Sequence, residues 1–424
     1  MGCYSSFTKL KVFVSLTPTK KKGKIKIHTL ICPFTKKMMI LFLSFNILMI
    51  VVTAVIPPSN PRYFAYCNFP CPSCVKPESF GIQSCSGTRT GGNTVPQGVF
   101  PYVDGANVIN GGVPQAANLT LHLETIRDTV DTILPNTNYS GNGVLDFENW
   151  TPNWDENNSP DDSWHGIVYQ LMSLNIVRIA HPTWNDTQIA AAARHDFQTA
   201  AINFFVQTLK LLKELRPKAK WGFYGLPLNI YASGCVRVNG ELKCGYSSPT
   251  IGPTYRGYND EIKAVWQEST ALYPSVYLPP QHSMNYSYWQ EVLSEYVADT
   301  ITETIRLATL YNSTASLPVL GFYWAYYHNG TTYLTAADVA LVISQSYLPP
   351  MSTGLILWGY TDDALPSYFR NVEGPLFESQ VWSASNCSTA SCSAHGWCRT
   401  PFVSQDTSCI CDQGYTGVSC EKVQ

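Results

Sequence analysis

The sequence predicts an α/β protein in which a large barrel of parallel strands and helices precedes a small disulfide-rich module. Strand-like and helix-like segments alternate through most of the chain, which is the order expected of parallel strands joined by helices. Hydrophobic residues make up 45% and charged residues 14%, so a sizeable folded core is expected. Six of the 14 cysteines lie in the last 40 residues, which indicates a separate disulfide-stabilised region.

Four regions follow from composition. They are a basic extension (1–37), an apolar signal peptide or signal anchor (38–56), the barrel (57–382) and the cysteine-rich module (383–424). Small residues at Val52, Thr53 and Ala54 favour signal cleavage, and we interpret Met38 or Met39 as the true start. The alternative is an uncleaved anchor, and only in that case is membrane attachment expected.

The strands and helices of the barrel are predicted from hydrophobic periodicity. The predicted strands are 63–69, 144–148, 221–225, 275–279, 318–324 and 354–358, and the predicted helices are 118–134, 186–215, 260–268, 291–310 and 335–346. Proline ends two of the helices, at Pro135 and Pro217. Repetition of this strand–helix unit favours a closed barrel, and no G-x-G-x-x-G follows an early strand to favour an open sheet.

Two carboxylates stand at the end of the second predicted strand. Asp146 and Glu148 are two positions apart, so on a strand they point to the same face. Carboxylates that lie close together rarely ionise independently, and the pKa of one of them rises. A carboxyl group that stays protonated near neutral pH can act as a general acid. The alternative interpretation is an exposed strand end followed by a polar turn.

Barrel enzymes carry their chemistry at the carboxyl ends of the strands. The residues expected there are Asp146, Glu148, Tyr224, Tyr277, Phe322 or Tyr323, and Trp358. Two acids and several aromatic rings around one opening are typical of a carbohydrate-binding cleft.

Charge and histidine placement exclude other classes of function. The formal net charge is −2 and no long basic face follows the N-terminus, which argues against a nucleic-acid partner. His181, His282 and His328 do not form a ligand cluster in the sequence, so we expect no metal and no other cofactor.

The cysteines and the Asn-x-Ser/Thr triplets predict an oxidising compartment, and therefore secretion. Cys235 and Cys244 flank a glycine-containing loop and are expected to close it. Cys67, Cys71, Cys74 and Cys85 are expected to form structural disulfides of unassigned pairing. The triplets begin at Asn118, Asn138, Asn149, Asn157, Asn185, Asn285, Asn312, Asn329 and Asn386.

From Gly111 to Trp358 the chain resembles the hyaluronidases, glycoside hydrolases that cut hyaluronan and related chondroitin chains. The motifs that carry the resemblance are GGVPQ (111–115), DFENW (146–150), HPTW (181–184), RPKAKWGFYG (216–225), WQESTALYPSVYLP (266–279) and LPVL (317–320). The resemblance implies a distorted (β/α) barrel and a secreted endo-β-N-acetylhexosaminidase that acts as a monomer on glycosaminoglycans. A lysosomal location is an alternative.

The resemblance also implies a substrate-assisted, retaining mechanism, in which the substrate's own acetamido group is the nucleophile. Glu148 would protonate the leaving oxygen and then activate water, while Asp146 would share a proton with it and orient the acetamido group. The implied substrate-binding residues are Tyr224, Tyr277, Trp358 and Tyr323.

Three positions depart from the family pattern. Thr151 replaces a usual arginine, Leu228 a usual aspartate, and Phe322 lies where tyrosine is typical, with Tyr323 one place later. The absence of the usual arginine at Thr151 and of the usual aspartate at Leu228 favours an alternative function. In that alternative, the protein has the same fold and binds glycosaminoglycans without catalysis. A third interpretation is an adhesion protein that acts through its terminal module, but the length of the barrel region disfavours it.

The last region resembles an EGF-like domain. Its cysteines and the Gly-Tyr-Thr-Gly run that ends at Gly417 carry this resemblance. The implied disulfides are Cys387–Cys398, Cys392–Cys409 and Cys411–Cys420.

Overall fold

The computed structural model describes residues 40–44, 47–51, 62–67, 98–160, 165–230, 233–280, 286–312, 317–328, 330–359, 365–399 and 408–424. The chain divides into two compact units, Met1–Val55 and Ile56–Gln424. The predicted cleavage residues Val52 to Ala54 lie outside the described residues, as do Cys71, Cys74, Cys85 and His282.

The described part of the first unit is an antiparallel hairpin. Strand β1 (Ile40–Ser44) pairs with β2 (Ile47–Val51), with Ile40 opposite Val51. These strands lie within the stretch assigned to a signal peptide or anchor, and that assignment stays a prediction. Among the described residues of the whole chain, no helix is both long and apolar enough to cross a membrane.

Parallel strands of the second unit form a distorted barrel. One sheet has the order β10 (Val319–Trp324), β11 (Ser352–Trp358), β3 (Phe64–Cys67), and all its neighbours are parallel. A second parallel pair joins β6 (Asn142–Leu145) to β7 (Lys220–Phe223). Segment 272–275 connects the two groups through isolated bridges, one to Tyr224 directly after β7 and two to β10. Within the described residues, the strand order around the barrel is therefore β3, β11, β10, segment 272–275, β7, β6.

Short antiparallel pairs lie outside the barrel ladder. They are β4 (Tyr102–Asp104) with β5 (Asn107–Ile109), β8 (Val236–Val238) with β9 (Glu241–Lys243), β12 (Gly396–Arg399) with β13 (Ser408–Cys411), and β14 (Tyr415–Thr416) with β15 (Lys422–Val423).

Helices follow the strands along the chain. They are α1 (Leu119–Ile133), α2 (Val168–Ala180), α3 (Asp186–Leu215), α4 (Gly252–Glu261), α5 (Lys263–Glu268), α6 (Tyr286–Tyr311), α7 (Ala336–Gln345), α8 (Leu365–Tyr368) and α9 (Gly374–Ser391). The longest, α3, begins at a capping box in which the Asn185 side chain accepts from the backbone of Gln188 and the Gln188 side chain accepts in return.

Several predicted elements differ from the structure. The strand predicted at 144–148 ends at Leu145, so Asp146 and Glu148 follow the strand rather than belong to it. No strand is assigned at 275–279, where Ser275 makes only a single bridge to Phe322. The sequence predicted one helix at 260–268. The structure has two helices there, α4 and α5, and α4 begins earlier, at Gly252.

The cysteine-rich region is joined to the barrel by a continuous helix. The predicted boundary between residues 382 and 383 lies inside α9, which also carries Cys387. The described disulfides are Cys387–Cys398, Cys392–Cys409 and Cys411–Cys420, with Cys235–Cys244 closing the β8–β9 loop. These are the pairs expected from the sequence and from the resemblance.

Candidate active site

A cavity of about 560 Å³ opens at the carboxyl ends of the barrel strands. Residues that follow β6 and β7, together with the ends of β10 and β11, form most of its wall. Its lining is Val144, Asp146, Phe147, Glu148, Trp150, Thr151, Pro152, His165, Phe205, Tyr224, Gly225, Leu226, Leu228, Asn229, Ser275, Tyr277, Phe322, Trp324, His328, Gly330 and Trp358.

Asp146 and Glu148 both line this cavity, directly after β6 ends. The pKa of Glu148 is raised to about 8, first by burial and then by the charge of Asp146 and a hydrogen bond with Asp146. Because the hydrogen bond favours the protonated form, the Glu148 carboxyl is its donor. At neutral pH the proton therefore resides on Glu148.

Aromatic packing holds this acidic stretch in place. The ring of Phe147 stacks on Phe100, with centroids 4.5 Å apart, and meets Trp150 edge to face at 4.9 Å. Trp150 is 1% exposed, and its indole Nε1 donates to the carbonyl oxygen of Pro101 at 2.7 Å. The backbone that carries Glu148 is thereby anchored on both sides of the carboxyl group.

Tyr224 and Tyr277 lie beside the acids. Their ring centroids are 6.0 Å apart, and their hydroxyl groups share a hydrogen bond. The Tyr224 hydroxyl in turn lies 3.4 Å from the hydroxyl of Ser275. Burial, followed by the neighbouring Tyr224, raises the pKa of Tyr277 well above its usual range, and burial also raises the pKa of Tyr224, so both phenols stay neutral.

An aromatic wall faces this pair. The ring of Tyr277 lies 6.1 Å from Trp358 and 5.7 Å from Trp324, and the two indoles meet edge to face at 5.4 Å. The structure therefore brings together the predicted residues Asp146, Glu148, Tyr224, Tyr277 and Trp358. Trp324 was missed by sequence reasoning, although its place at the end of β10 was a signal available for it.

The prediction of Tyr323 as a substrate-binding residue is wrong. Tyr323 is 1% exposed and does not line the cavity, and its hydroxyl donates to Glu373 at 2.7 Å. Side chains alternate along β10, so Phe322 and Trp324 face the cavity while Tyr323 points into the packing of the outer helices. Phe322 contacts Tyr224 edge to face, with centroids 5.0 Å apart.

Two histidines of the cavity lining were also missed. Burial lowers the pKa of His165 to about 4, so its imidazole is neutral at physiological pH. Burial also lowers the pKa of His328, whose ring lies 6.3 Å from Tyr277. His181 instead stacks on Trp184 at 3.7 Å, outside the cavity lining. Nowhere in the described ranges do three or more His, Cys, Asp or Glu side chains gather as a potential metal site.

The departures from the family pattern have structural roles. Thr151 is 1% exposed and donates its hydroxyl to Glu156 at 3.0 Å. Leu228 lines the cavity, and its carbonyl oxygen accepts from the Tyr246 hydroxyl at 2.6 Å.

Known proteins resemble this chain in sequence. The hyaluronidase family model matches residues 95–421. The chain belongs to the hyaluronidase family. It is 31% identical over 315 residues to hyaluronidase-2 of Bos taurus and 30% identical over 342 residues to chondroitin hydrolase of Caenorhabditis elegans. These matches cover 71% and 76% of this chain, and 62% and 70% of the two relatives.

Solved hyaluronidase structures match the fold. The crystal structure of bee venom hyaluronidase in complex with a hyaluronic acid tetramer has a TM-score of 0.60 and 25% identity to this family member. The match covers 74% of this chain and 98% of the bee venom chain. A monoclinic crystal form of the same venom enzyme gives a TM-score of 0.60 and 26% identity.

Proposed function

We propose that this protein is an endo-β-N-acetylhexosaminidase that hydrolyses hyaluronan, chondroitin or both by a substrate-assisted, retaining mechanism. The observation that carries the proposal is the position of Glu148 in the cavity with its pKa raised to about 8 beside Asp146. A general acid must hold its proton at the working pH. With a pKa of about 8, the Glu148 carboxyl group is still mostly protonated at pH 7.

In the proposed first step, the carbonyl oxygen of the substrate's acetamido group attacks the anomeric carbon. The glycosidic bond breaks, and the Glu148 carboxyl transfers its proton to the departing oxygen. In the second step Glu148, now a carboxylate, takes a proton from water while the water oxygen attacks the same carbon and the carbonyl oxygen leaves. The configuration is retained, and Glu148 ends protonated, as it began.

Neighbouring side chains support these steps. Asp146 accepts the hydrogen bond from Glu148, and its negative charge opposes early loss of the proton. As the acetamido nitrogen becomes positive during attack, the same charge stabilises it. Tyr277 supplies a neutral phenol within the cavity, and Trp358 supplies an apolar surface for the acetamido methyl group.

The proposed substrates follow from the family and from the character of the cavity. Relatives carry the names hyaluronidase and chondroitin hydrolase, and the bee venom structure contains a hyaluronic acid tetramer. The rings of Tyr277, Trp324 and Trp358 provide surfaces on which sugar rings can stack. Both polymers contain the N-acetylhexosamine that the mechanism requires.

We further propose that the protein acts outside the cytosol. Four described disulfides favour an oxidising compartment. The acceptor asparagines Asn118, Asn138, Asn185 and Asn386 are exposed. Asn157 is fully buried and its side-chain amide donates to two backbone carbonyls, so we expect no glycan there.

Reducing-end release tests the proposed activity. The purified protein is incubated with hyaluronan and with unsulfated chondroitin from pH 4 to pH 8, beside Glu148→Gln. We expect new reducing ends from the wild type and a loss of about 100-fold or more in Glu148→Gln, because the amide cannot transfer a proton as the acid does.

The matched control is Glu214→Gln, which changes an exposed glutamate on α3 outside the cavity lining. This variant should retain wild-type activity, and all three proteins should unfold at similar temperatures. Cleavage of neither polymer, with binding retained, would contradict the enzyme and favour the non-catalytic glycosaminoglycan-binding function.

A further inference from the structure

A histidine stands at the rim of the cavity, on the loop that follows β10. His328 lines the cavity and is exposed, whereas Tyr277 in the same wall is 7% exposed, so His328 lies nearer the opening. The backbone nitrogen of His328 donates to the carbonyl oxygen of Leu278 at 2.8 Å, and its ring lies 6.3 Å from that of Tyr277. The proposed mechanism uses Tyr277 but gives His328 no role.

Backbone pairing orders the loop that carries His328. This loop, which we call the β10 loop, comprises residues 325–328 and 330–334. Its two arms run side by side, since the backbone nitrogen of Tyr327 donates to the carbonyl oxygen of Thr332 at 3.0 Å. The imidazole therefore reaches the cavity from a backbone that is held in place.

Aromatic packing and a buried acid anchor the β10 loop from behind. The rings of Tyr326 and Tyr333 stack at 4.3 Å and their hydroxyl groups share a hydrogen bond at 2.8 Å. Tyr368 stacks on the other side of this pair, 4.2 Å from Tyr333. The hydroxyl of Tyr327 donates to Asp338, which is 1% exposed. Support of this kind is what a side chain needs in order to bind a ligand in one orientation.

The proposed substrates are polyanions, yet the described cavity wall has few groups that can bind an anion. Its lining contains the carboxyl groups of Asp146 and Glu148 but no lysine or arginine, and Thr151 stands where the family pattern has an arginine. Burial lowers the pKa of His165 to about 4, so that imidazole stays neutral. In the described lining, His328 is therefore the side chain that can gain a positive charge in mildly acidic solution.

The other titratable groups of the cavity leave this role to His328. Those that share the described wall with it are Asp146, Glu148, His165, Tyr224 and Tyr277. On the β10 loop itself, Tyr327 is paired with Asp338 of α7. Partial burial lowers the pKa of His328, and a bound carboxylate would oppose that shift because an opposite charge favours the imidazolium.

The position of His328 relative to Tyr277 relates it to the charged sugar of the polymer. The proposed function places the acetamido group of an N-acetylhexosamine against Tyr277 and Trp358, so the adjoining sugar extends toward the opening. In hyaluronan and chondroitin that sugar carries a carboxylate. A centroid separation of 6.3 Å is short enough for adjoining sugars to contact Tyr277 and His328 at the same time.

We infer that His328 is a substrate-binding residue that donates a charge-assisted hydrogen bond to the uronic acid carboxylate next to the N-acetylhexosamine. The imidazolium makes the stronger bond, so affinity for the charged polymer should rise as the pH falls. This inference rests on the proposed function, because it assumes that the cavity binds hyaluronan or chondroitin with the acetamido group at Tyr277.

Calorimetric binding at pH 5 and pH 8 tests the inference. The probes are a hyaluronan tetrasaccharide and the same tetrasaccharide with its carboxyl groups reduced to primary alcohols. Every protein carries Glu148→Gln, which prevents hydrolysis and removes the titration of that group. This parent is compared with His328→Gln, His328→Arg and the matched control His195→Gln, which changes an exposed histidine on α3 outside the cavity lining.

The parent should bind the native tetrasaccharide about fivefold more tightly at pH 5 than at pH 8, because the imidazolium forms beside the carboxylate. His328→Gln should lose this difference and bind at both pH values as the parent does at pH 8. His328→Arg, which is charged at both, should bind at pH 8 as tightly as the parent does at pH 5. The reduced tetrasaccharide should bind every protein equally within about twofold, and His195→Gln should match the parent.

An unchanged pH response in His328→Gln, or equal losses for both tetrasaccharides, would overturn the inference while the cavity still bound the polymer. A thermal unfolding scan identifies any variant that misfolds. If His328→Gln does not fold, His328→Arg decides, since no gain in affinity at pH 8 also overturns the inference. If neither tetrasaccharide binds any of the folded proteins, the proposed function fails and the inference fails with it.

Discussion

At the scale of single residues, Asp146 and Glu148 act as one unit that holds a proton. Two carboxyl groups in one cavity cannot both ionise at low energetic cost, and burial adds to the cost of charging Glu148. Each unit of pKa shift corresponds to about 1.4 kcal/mol of preference for the protonated form. The sequence predicted this pairing from spacing, but the assignment of the proton to Glu148 required the desolvation that the fold imposes.

Replacing Asp146 with asparagine should shift the pH dependence of hydrolysis. Loss of the negative charge lowers the pKa of Glu148, so the alkaline limit of activity should move down by about one pH unit. The rate at the optimum should also fall, because the charge that we propose stabilises the acetamido group is gone. Rates of reducing-end release from pH 4 to pH 9 measure both effects.

Asp128→Asn is the matched control, because Asp128 is exposed on α1 and lies outside the cavity lining. Its profile should overlay that of the wild type. A lower rate in Asp146→Asn with an unmoved alkaline limit would show that Asp146 orients substrate without setting the proton affinity of Glu148.

At the scale of elements, the ends of the strands decide which side chains reach the cavity. Strand β6 ends at buried Leu145, so the acids begin where the barrel opens. Alternation along β10 places Phe322 and Trp324 inside and Tyr323 outside. A fully apolar strand does not show which set faces inward, because both of its faces are buried; this explains the error at Tyr323.

Close approach of two strands makes Gly354 a sensitive position. A Cβ atom at Gly354 would lie 1.7 Å from the carbonyl oxygen of Phe64 on β3, which is backbone and cannot rotate away. We expect Gly354→Ala to separate β11 from β3 and to lower the free energy of unfolding by about 2–3 kcal/mol. Urea unfolding followed by tryptophan fluorescence measures the change.

Gly257→Ala is the control with the opposite expected sign. Gly257 lies within α4, and a Cβ atom there would meet nothing within 4 Å. Alanine should therefore raise the free energy of unfolding by about 0.5–1 kcal/mol through helix propensity. Equal stability of Gly354→Ala and the wild type would contradict the close strand contact.

At the scale of the whole molecule, a buried arginine links the cysteine-rich region to the first barrel strand. Arg62 precedes β3, and its guanidinium binds both carboxylate oxygens of Asp412, at 2.7 and 2.9 Å. It also donates to the carbonyl oxygen of Ala394 and lies 4.7 Å above the ring of Trp397. With α9 continuous into this region, these contacts pack the module against the barrel.

Buried acids should make the stability of the molecule depend on pH. The folded pKa is about 8 for Glu148 and about 7 for Glu156, Asp299 and Glu373, all above their usual values. The folded state therefore binds more protons than the unfolded state, and stability falls as pH rises through these values. The buried histidines His122 and His165 are neutral in the folded state, and their unfolded forms lose the last of their protons between pH 6.5 and about 7.5, so they offset only a small part of this fall.

We expect the free energy of unfolding to decrease by about 2–4 kcal/mol from pH 6.5 to pH 8.5. Urea unfolding at both pH values measures it. Glu373→Gln should reduce the decrease, since the amide can still accept from the Tyr323 hydroxyl but no longer titrates. Constant stability over this range would be inconsistent with buried, protonated carboxyl groups.

The sequence by itself determined the family, the succession of strands and helices in most of the barrel, the acidic pair and the partners in the four described disulfides. These features depend on local periodicity and on motifs read along the chain. Helices α2 and α9 were missed: α2 carries exposed apolar side chains such as Leu171 and Ile179, and α9 buries polar ones, so neither shows a clear apolar stripe.

Only the tertiary structure decided which groups share an environment. It placed Trp324, His165 and His328 in the cavity, turned Tyr323 away, and buried Glu156 behind Thr151. Proton affinity depends on desolvation and on neighbours that are distant in the chain. For the stretch that contains Asp146 and Glu148, local spacing was therefore sufficient to find the acids, whereas their chemistry depends on the barrel that encloses them.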